Sequence, residues 1–126
     1  TDLGLTAAVG ELAARSPLDI EVDPSGDDSL LSNPAAAAAY FTISEALTNI
    51  VKHAGTDRAT IELRYDHTGV QLRVVATGRG GADAATGTGP AGLRERIRSV
   101  GGKLEITSPP GEGTIIAATV PAEPPW

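Results

Sequence analysis

Residues 33–55 read NPAAAAAYFTISEALTNIVKHAG, and the spacing predicts one long helix. Pro34 suits a first turn, with Ser32 or Asn33 as the cap. Gly55, just after Ala54, is the C-terminal stop. Ile43, Ala46, Leu47, Ile50 and Val51 recur at the i, i+3, i+4, i+7 and i+8 positions of a core-facing stripe. Glu45, Thr48, Asn49, Lys52 and His53 fall on the other side. A solvated face is the plain reading of that side. Its composition argues for more, because surface filler is normally Glu, Lys, Gln and Ala at random spacing. Asparagine is a poor helix former and needs a reason to sit mid-helix. Magnesium takes oxygen ligands together with substrate phosphates. Asn49 can supply one such oxygen, Lys52 can meet phosphate charge, and Glu45 can orient water or accept a proton.

Working outward, Leu5, Val9 and Leu12 give a short helix over residues 3–15, ended before Pro17. Residues 18–22 (LDIEV) alternate as a strand does, and Pro24–Asp28 reads as a surface loop. Residues 59–65 and 70–76 alternate as well, and Asp66-His67-Thr68-Gly69 joins them as a hairpin. His67 then belongs to a solvated turn. Residues 92–100 (GLRERIRSV) form a helix closed by Gly101-Gly102. Lys103–Thr107 and Thr114–Val120 form a second hairpin. The order α-β-α-β-β-α-β-β implies a mixed, largely antiparallel sheet with helices on one face, an α+β two-layer sandwich.

Two glycine clusters remain. Gly78-Arg79-Gly80-Gly81 follows a strand, where glycine lets the backbone approach a ligand closely, though an ordinary loop reads the same way. Gly87-Thr88-Gly89-Pro90-Ala91-Gly92 matches G-x-G-x-x-G literally. Residues 81–88 carry no strand pattern, so the dinucleotide reading fails. What survives is a glycine loop that delivers the backbone N–H groups of a helix N-terminus to an anion.

Composition narrows the classes. The 126 residues suit one domain, here residues 1–121, with a flexible proline-rich tail over 122–126. The chain opens Thr1-Asp2 and reads as a piece of a longer protein. With no cysteine and two histidines, thiolate or multi-histidine metal sites are excluded. A net charge of -6 and 3% aromatic residues argue against nucleic-acid binding, base stacking and direct contact with an anionic membrane. Nucleotides stay open, because magnesium and local dipoles hold phosphates on acidic proteins.

With these pieces in order, the chain resembles the ATP-binding catalytic domain of sensor histidine kinases. These belong to the gyrase, Hsp90, histidine kinase and MutL superfamily of Bergerat-type α/β sandwiches. The resemblance covers residues 3–121 and is to kinases paired with NarL-type response regulators. Glu45 to Ala54 (EALTNIVKHA) looks like the N box, Gly92 to Ile97 (GLRERI) looks like the helix after the lid, and Gly113-Thr114 resembles the last box.

The resemblance implies roles. Asn49 would bind magnesium, Lys52 and His53 would lie near the phosphates, and Glu45 would sit beside the metal or the transferred phosphoryl group. Gly78 and Gly80 would line the adenine and sugar. Residues 81–91 would be the ATP lid, with Gly89, Gly92 and Leu93 presenting N–H groups to phosphate. Thr114 would join water-mediated contacts around the adenine. Glu45, Asn49 and Lys52 are thus the expected catalytic group, with ATP and Mg2+ as the ligands. The parent would be a bacterial kinase, cytoplasmic in this part. It would pass the γ-phosphoryl group to a histidine on its own dimerisation domain and then to the regulator.

The chain departs from the family pattern D-x-G-x-G at Ala76, where the family's aspartate accepts a hydrogen bond from the adenine amino group. A hydrogen bond to a charged group is worth about 1.5–3 kcal/mol. Its loss predicts roughly ten- to hundredfold weaker ATP binding and relaxed base selection. Gly89-Pro90 also stands where the family commonly has leucine. No acceptor histidine of a dimerisation segment is present. Two other readings stand beside the kinase: an interaction or regulatory module that has lost nucleotide binding, and a serine kinase of the anti-sigma-factor type. The Gly92–Val100 helix favours the histidine kinase over the latter.

Overall fold

A computed structural model describes residues 4–51, 57–76, 89–107 and 113–123. Among the described residues, three helices cover one face of a five-stranded sheet. The elements are α1 (Gly4–Arg15), β1 (Asp19–Ser25), a 3-10 turn (Asp28–Leu30), α2 (Asn33–Asn49), β2 (Arg58–Asp66), β3 (Gly69–Ala76), α3 (Gly89–Ser99), β4 (Lys103–Thr107) and β5 (Thr114–Pro121). The strand order is β1-β2-β3-β5-β4. Among the described residues, β1 and β2 run parallel, and the other three pairs are antiparallel. The parallel pair follows from connectivity: β1 and β2 are joined through α2, and parallel neighbours need such a crossover.

Alternation sorts the two faces of the sheet. Ile61 and Leu63 of β2, Leu72 and Val74 of β3, and Ile116 and Val120 of β5 are buried beneath the helices. Their neighbours Glu62, Arg64 and Arg73 face outward. There Arg64 pairs with Asp23 at 3.0 Å and Arg73 with Glu62 at 4.0 Å. From the helices, Val9, Ala39, Ile43, Ala46, Ile50 and Ile97 complete the core. At Gly69 (φ 147) an added Cβ would lie 2.0 Å from the Val120 carbonyl oxygen, so the β2–β3 turn packs too closely on β5 for any side chain.

Several local expectations change. Pro24 lies inside β1, not in a loop, because β1 is an edge strand and can spare one N–H. The 3-10 turn follows it, capped by the Asp27 side chain, which accepts from the Ser29 amide. Ser32 caps α2, its hydroxyl accepting from the Ala35 amide at 3.2 Å. Helix α3 begins at Gly89, three residues before the expected Gly92. Val51 is 48% exposed and is not part of the core stripe. The expected stripe began at Ile43 and took no account of the earlier turns of the helix. Ala35, Ala38 and Thr42 are also buried, which shifts the buried arc of α2 away from Val51. Ala122, assigned to the tail, donates to the Thr68 carbonyl and accepts from the Ser32 amide, each at 2.8 Å.

Candidate functional site

Strand registers define two ends of the sheet. At one end, Asp19 lies opposite Arg58, Ala59 opposite Ala76, and Ala76 opposite Thr114. At the other, Asp66 lies opposite Gly69 and Gly69 opposite Pro121. Helix α2 starts at the Pro121 end, where the Ser32 amide reaches the Ala122 carbonyl. It leads into β2, which starts at the Ala76–Thr114 end. Helix α3 closes through Gly102 onto Lys103, which lies opposite Thr119. It therefore points its N-terminus toward the Ala76–Thr114 end and packs antiparallel along α2. The last turn of α2, the first turn of α3, Ala76 and Thr114 thus all belong to one end of the molecule.

The helix termini there differ in charge character. An α-helix N-terminus carries about half a positive charge and unpaired N–H groups, which suits phosphate oxygens. Pro90 at the second position of α3 removes one N–H, while Gly89, Ala91, Gly92 and Leu93 keep theirs within that first turn and the start of the next. At the end of α2 the ladder loosens: the Ile50 amide is shared between the Ala46 and Leu47 carbonyls, and the winding at Ile50 and Val51 is π-type.

Asn49 is half-buried and Glu45 exposed. Asn49 lies seven residues after Thr42 and eleven after Ala38, so it shares their edge of α2. Tyr40 and Asn33 line a groove of about 680 Å³ on the α1 side of the helix. The Thr42–Asn49 edge lies on the other side of the helix from that groove. A second depression of about 350 Å³ lies on the open face of the sheet around Arg64 and Arg73. Neither depression includes Glu45, Asn49, Ala76 or Thr114.

Ala76 is 2% and Thr114 3% exposed. Directly opposed residues point to the same face, so a methyl and a hydroxyl sit side by side at the strand ends, with the Ala59 methyl beyond. Among the described residues, no group of three or more His, Cys, Asp or Glu could enclose a metal ion. Lys52, His53, Gly78 and Gly80, and most of the expected lid over 81–91, lie outside the described residues. The sequence reading missed the relation of Phe41 to α3. Phe41 is exposed and stacks beneath the Arg96 guanidinium, 4.4 Å from the ring centroid. Its only sequence signal was an aromatic residue on the polar side of the wheel.

Residues 36–124 match the family described as histidine kinase-, DNA gyrase B-, and HSP90-like ATPase. The chain belongs to that ATPase family. Over 124 residues it is 30% identical to the sensor histidine kinase LiaS of Bacillus subtilis, covering 96% of this chain and 34% of LiaS. The chain spans about a third of the length of the curated relatives it matches, and these are sensor histidine kinases. The fold is similar to the histidine kinase domain of the Erythrobacter litoralis EL346 blue-light activated kinase. The TM-score is 0.71 at 24% identity, over 94% of this chain and 61% of that one. It is also similar to the ATP-binding domain of PrrB from Mycobacterium tuberculosis, with a TM-score of 0.68 at 22% identity over 97% and 93% of the chains. The two-layer α+β architecture of this ATPase family is thus the one observed. Among the described residues, no helix is long and apolar enough to cross a membrane.

Proposed function

We propose that the chain is the ATP-binding catalytic domain of a two-component sensor histidine kinase. It holds Mg–ATP between the end of α2 and the start of α3 and presents the γ-phosphoryl group to a histidine on the dimerisation domain. A NarL-type response regulator then takes the phosphoryl group. The observation that carries the reading is the convergence at one end of the sheet of Asn49, Ala76, Thr114 and the N-terminus of α3. Asn49 would hold magnesium, Lys52 and His53 would face the phosphates, and Glu45 would receive or orient a proton at the acceptor. Gly78 and Gly80 would border the base and sugar, and Gly89, Gly92 and Leu93 would give N–H groups to phosphate. Bound magnesium would neutralise phosphate charge. The remaining contribution of the chain is positioning and fixed dipoles. The domain would work on the cytoplasmic side, without nucleic acid or membrane contact of its own.

Calorimetric titration with Mg–ATP, followed by labelling of a separately supplied histidine-bearing dimerisation domain, tests the proposal. Saturable binding and label on the histidine domain are expected; neither occurring sinks it. Ala76 favours a second reading, a regulatory module that has lost nucleotide binding. Folded protein that is silent to Mg–ATP and still binds the dimerisation domain would select it.

A further inference from the structure

Helix α3 is anchored at its C-terminal end. There Ile97 and Val100 are buried, and the Gly102 amide donates to the Ile97 carbonyl at 2.9 Å. Gly102 also abuts β5, since an added Cβ would lie 2.3 Å from the Thr119 carbonyl oxygen. From that anchor the helix projects toward the Ala76–Thr114 end. Arg94, Glu95, Arg96 and Arg98 are all exposed. One of them makes a lateral tie: the Arg96 guanidinium lies 4.4 Å from the Phe41 ring centroid. Phe41 is itself braced by Tyr40, edge-on at 6.0 Å and 76°. Phe41 stands eight residues before Asn49 on α2, and Arg96 seven residues after Gly89 on α3. At 1.5 Å per residue these are about 12 and 10 Å, so the tie bridges the antiparallel helices at matched distances from the proposed phosphate site.

We infer that Phe41 and Arg96 are a positioning pair: the cation–π contact sets the seat of α3 on α2, and through it the reach of the α3 N-terminus toward phosphate. The inference rests on the nucleotide-binding reading above. Neither side chain touches nucleotide. Exposed cation–π contacts correspond to about a two- to fivefold equilibrium effect, so the tie tunes the seat and does not create it.

The test compares wild type with Phe41→Leu, Arg96→Gln, the double variant, and the conservative Phe41→Tyr and Arg96→Lys. Mg–ATP affinity and amide exchange are measured on each. Phe41→Leu and Arg96→Gln should each weaken Mg–ATP binding two- to fivefold, with the double variant no weaker than either. Amide exchange across residues 94–99 should quicken by a similar factor while that of β2 and β3 stays fixed. Phe41→Tyr and Arg96→Lys should retain affinity. Unchanged affinity in both single variants, or losses that simply multiply in the double, would overturn the pair while leaving nucleotide binding intact. Wild-type protein that binds no Mg–ATP would overturn both readings, so the two failures are told apart.

Discussion

Ala76 on β3 lies directly opposite Thr114 on β5, and both are buried on the helix-covered face at the end of the sheet where α2 finishes. An aspartate at position 76 would project from the same strand position toward the same end. In the free protein that carboxylate would be buried beside methyl groups, at a desolvation cost. Ala76→Asp is therefore expected to lower the melting temperature of the free domain. It should also strengthen Mg–ATP binding by roughly tenfold or more, the equivalent of one hydrogen bond to a charged group. Excess Mg–ATP should then recover the melting temperature by mass action. Calorimetry with thermal melts checks both halves. A variant that loses stability without gaining affinity would put the base elsewhere.

Asn49 and Glu45 are the next pair to separate. Asn49 is half-buried at the end of α2 and Glu45 is exposed one turn earlier. Surface changes of this kind usually cost within about 0.5 kcal/mol. Asn49→Ala should leave urea unfolding nearly unchanged and abolish the magnesium-dependent part of ATP affinity. Glu45→Gln should keep affinity and slow transfer to the histidine domain by roughly 100-fold, the lower range for general acid–base assistance. Equal effects of the two variants on binding would contradict this division.

Ile43 is wholly buried at the centre of α2, where the helix crosses the sheet. Ile43→Ala removes three carbons from a packed site and should cost about 2–5 kcal/mol in urea denaturation. The denaturant slope should be unchanged, because the same surface is exposed on unfolding. A cost under 1 kcal/mol would mean that the helix layer packs loosely on the sheet.

Asp66 contributes to the acid side of the stability profile. Its carboxylate accepts from the Thr68 hydroxyl, from the Thr68 amide at 2.8 Å and from the Gly69 amide at 3.2 Å. The Thr68 side-chain bond, then its amide, hold the Asp66 carboxyl below the usual carboxylate range. A depressed native value means that the unfolded chain binds the proton more readily. The contribution is therefore present at neutral pH and is lost as pH falls through the usual carboxylate range and below. Asp66→Asn should flatten this part of the acid limb of a melting-temperature profile between pH 6 and 2. An acid limb identical to wild type would exclude the turn carboxylate as a contributor.

The alternation of β2, β3 and β5 and the 3.6-residue rhythm of α2 were legible in the sequence, because each reflects one side facing a core. The N-box-like run Glu45–Ala54 and the glycine clusters also carried the resemblance to the family that residues 36–124 match. Other features depend on neighbours distant in sequence. Pro24 was placed in a loop because a chain cannot show which strand will lie at an edge. Val51 was placed in the core because the stripe was read without Ala35, Ala38 and Thr42, whose burial on the same helix moves the core-facing arc. The opposition of Ala76 and Thr114, the antiparallel run of α3 along α2, and the seat of Arg96 on Phe41 all join residues 38 or more positions apart, or elements far separated in order. Local propensity has no term for such pairings. Strand register and helix packing decide them, when burial of one sheet face against three helices selects a single arrangement.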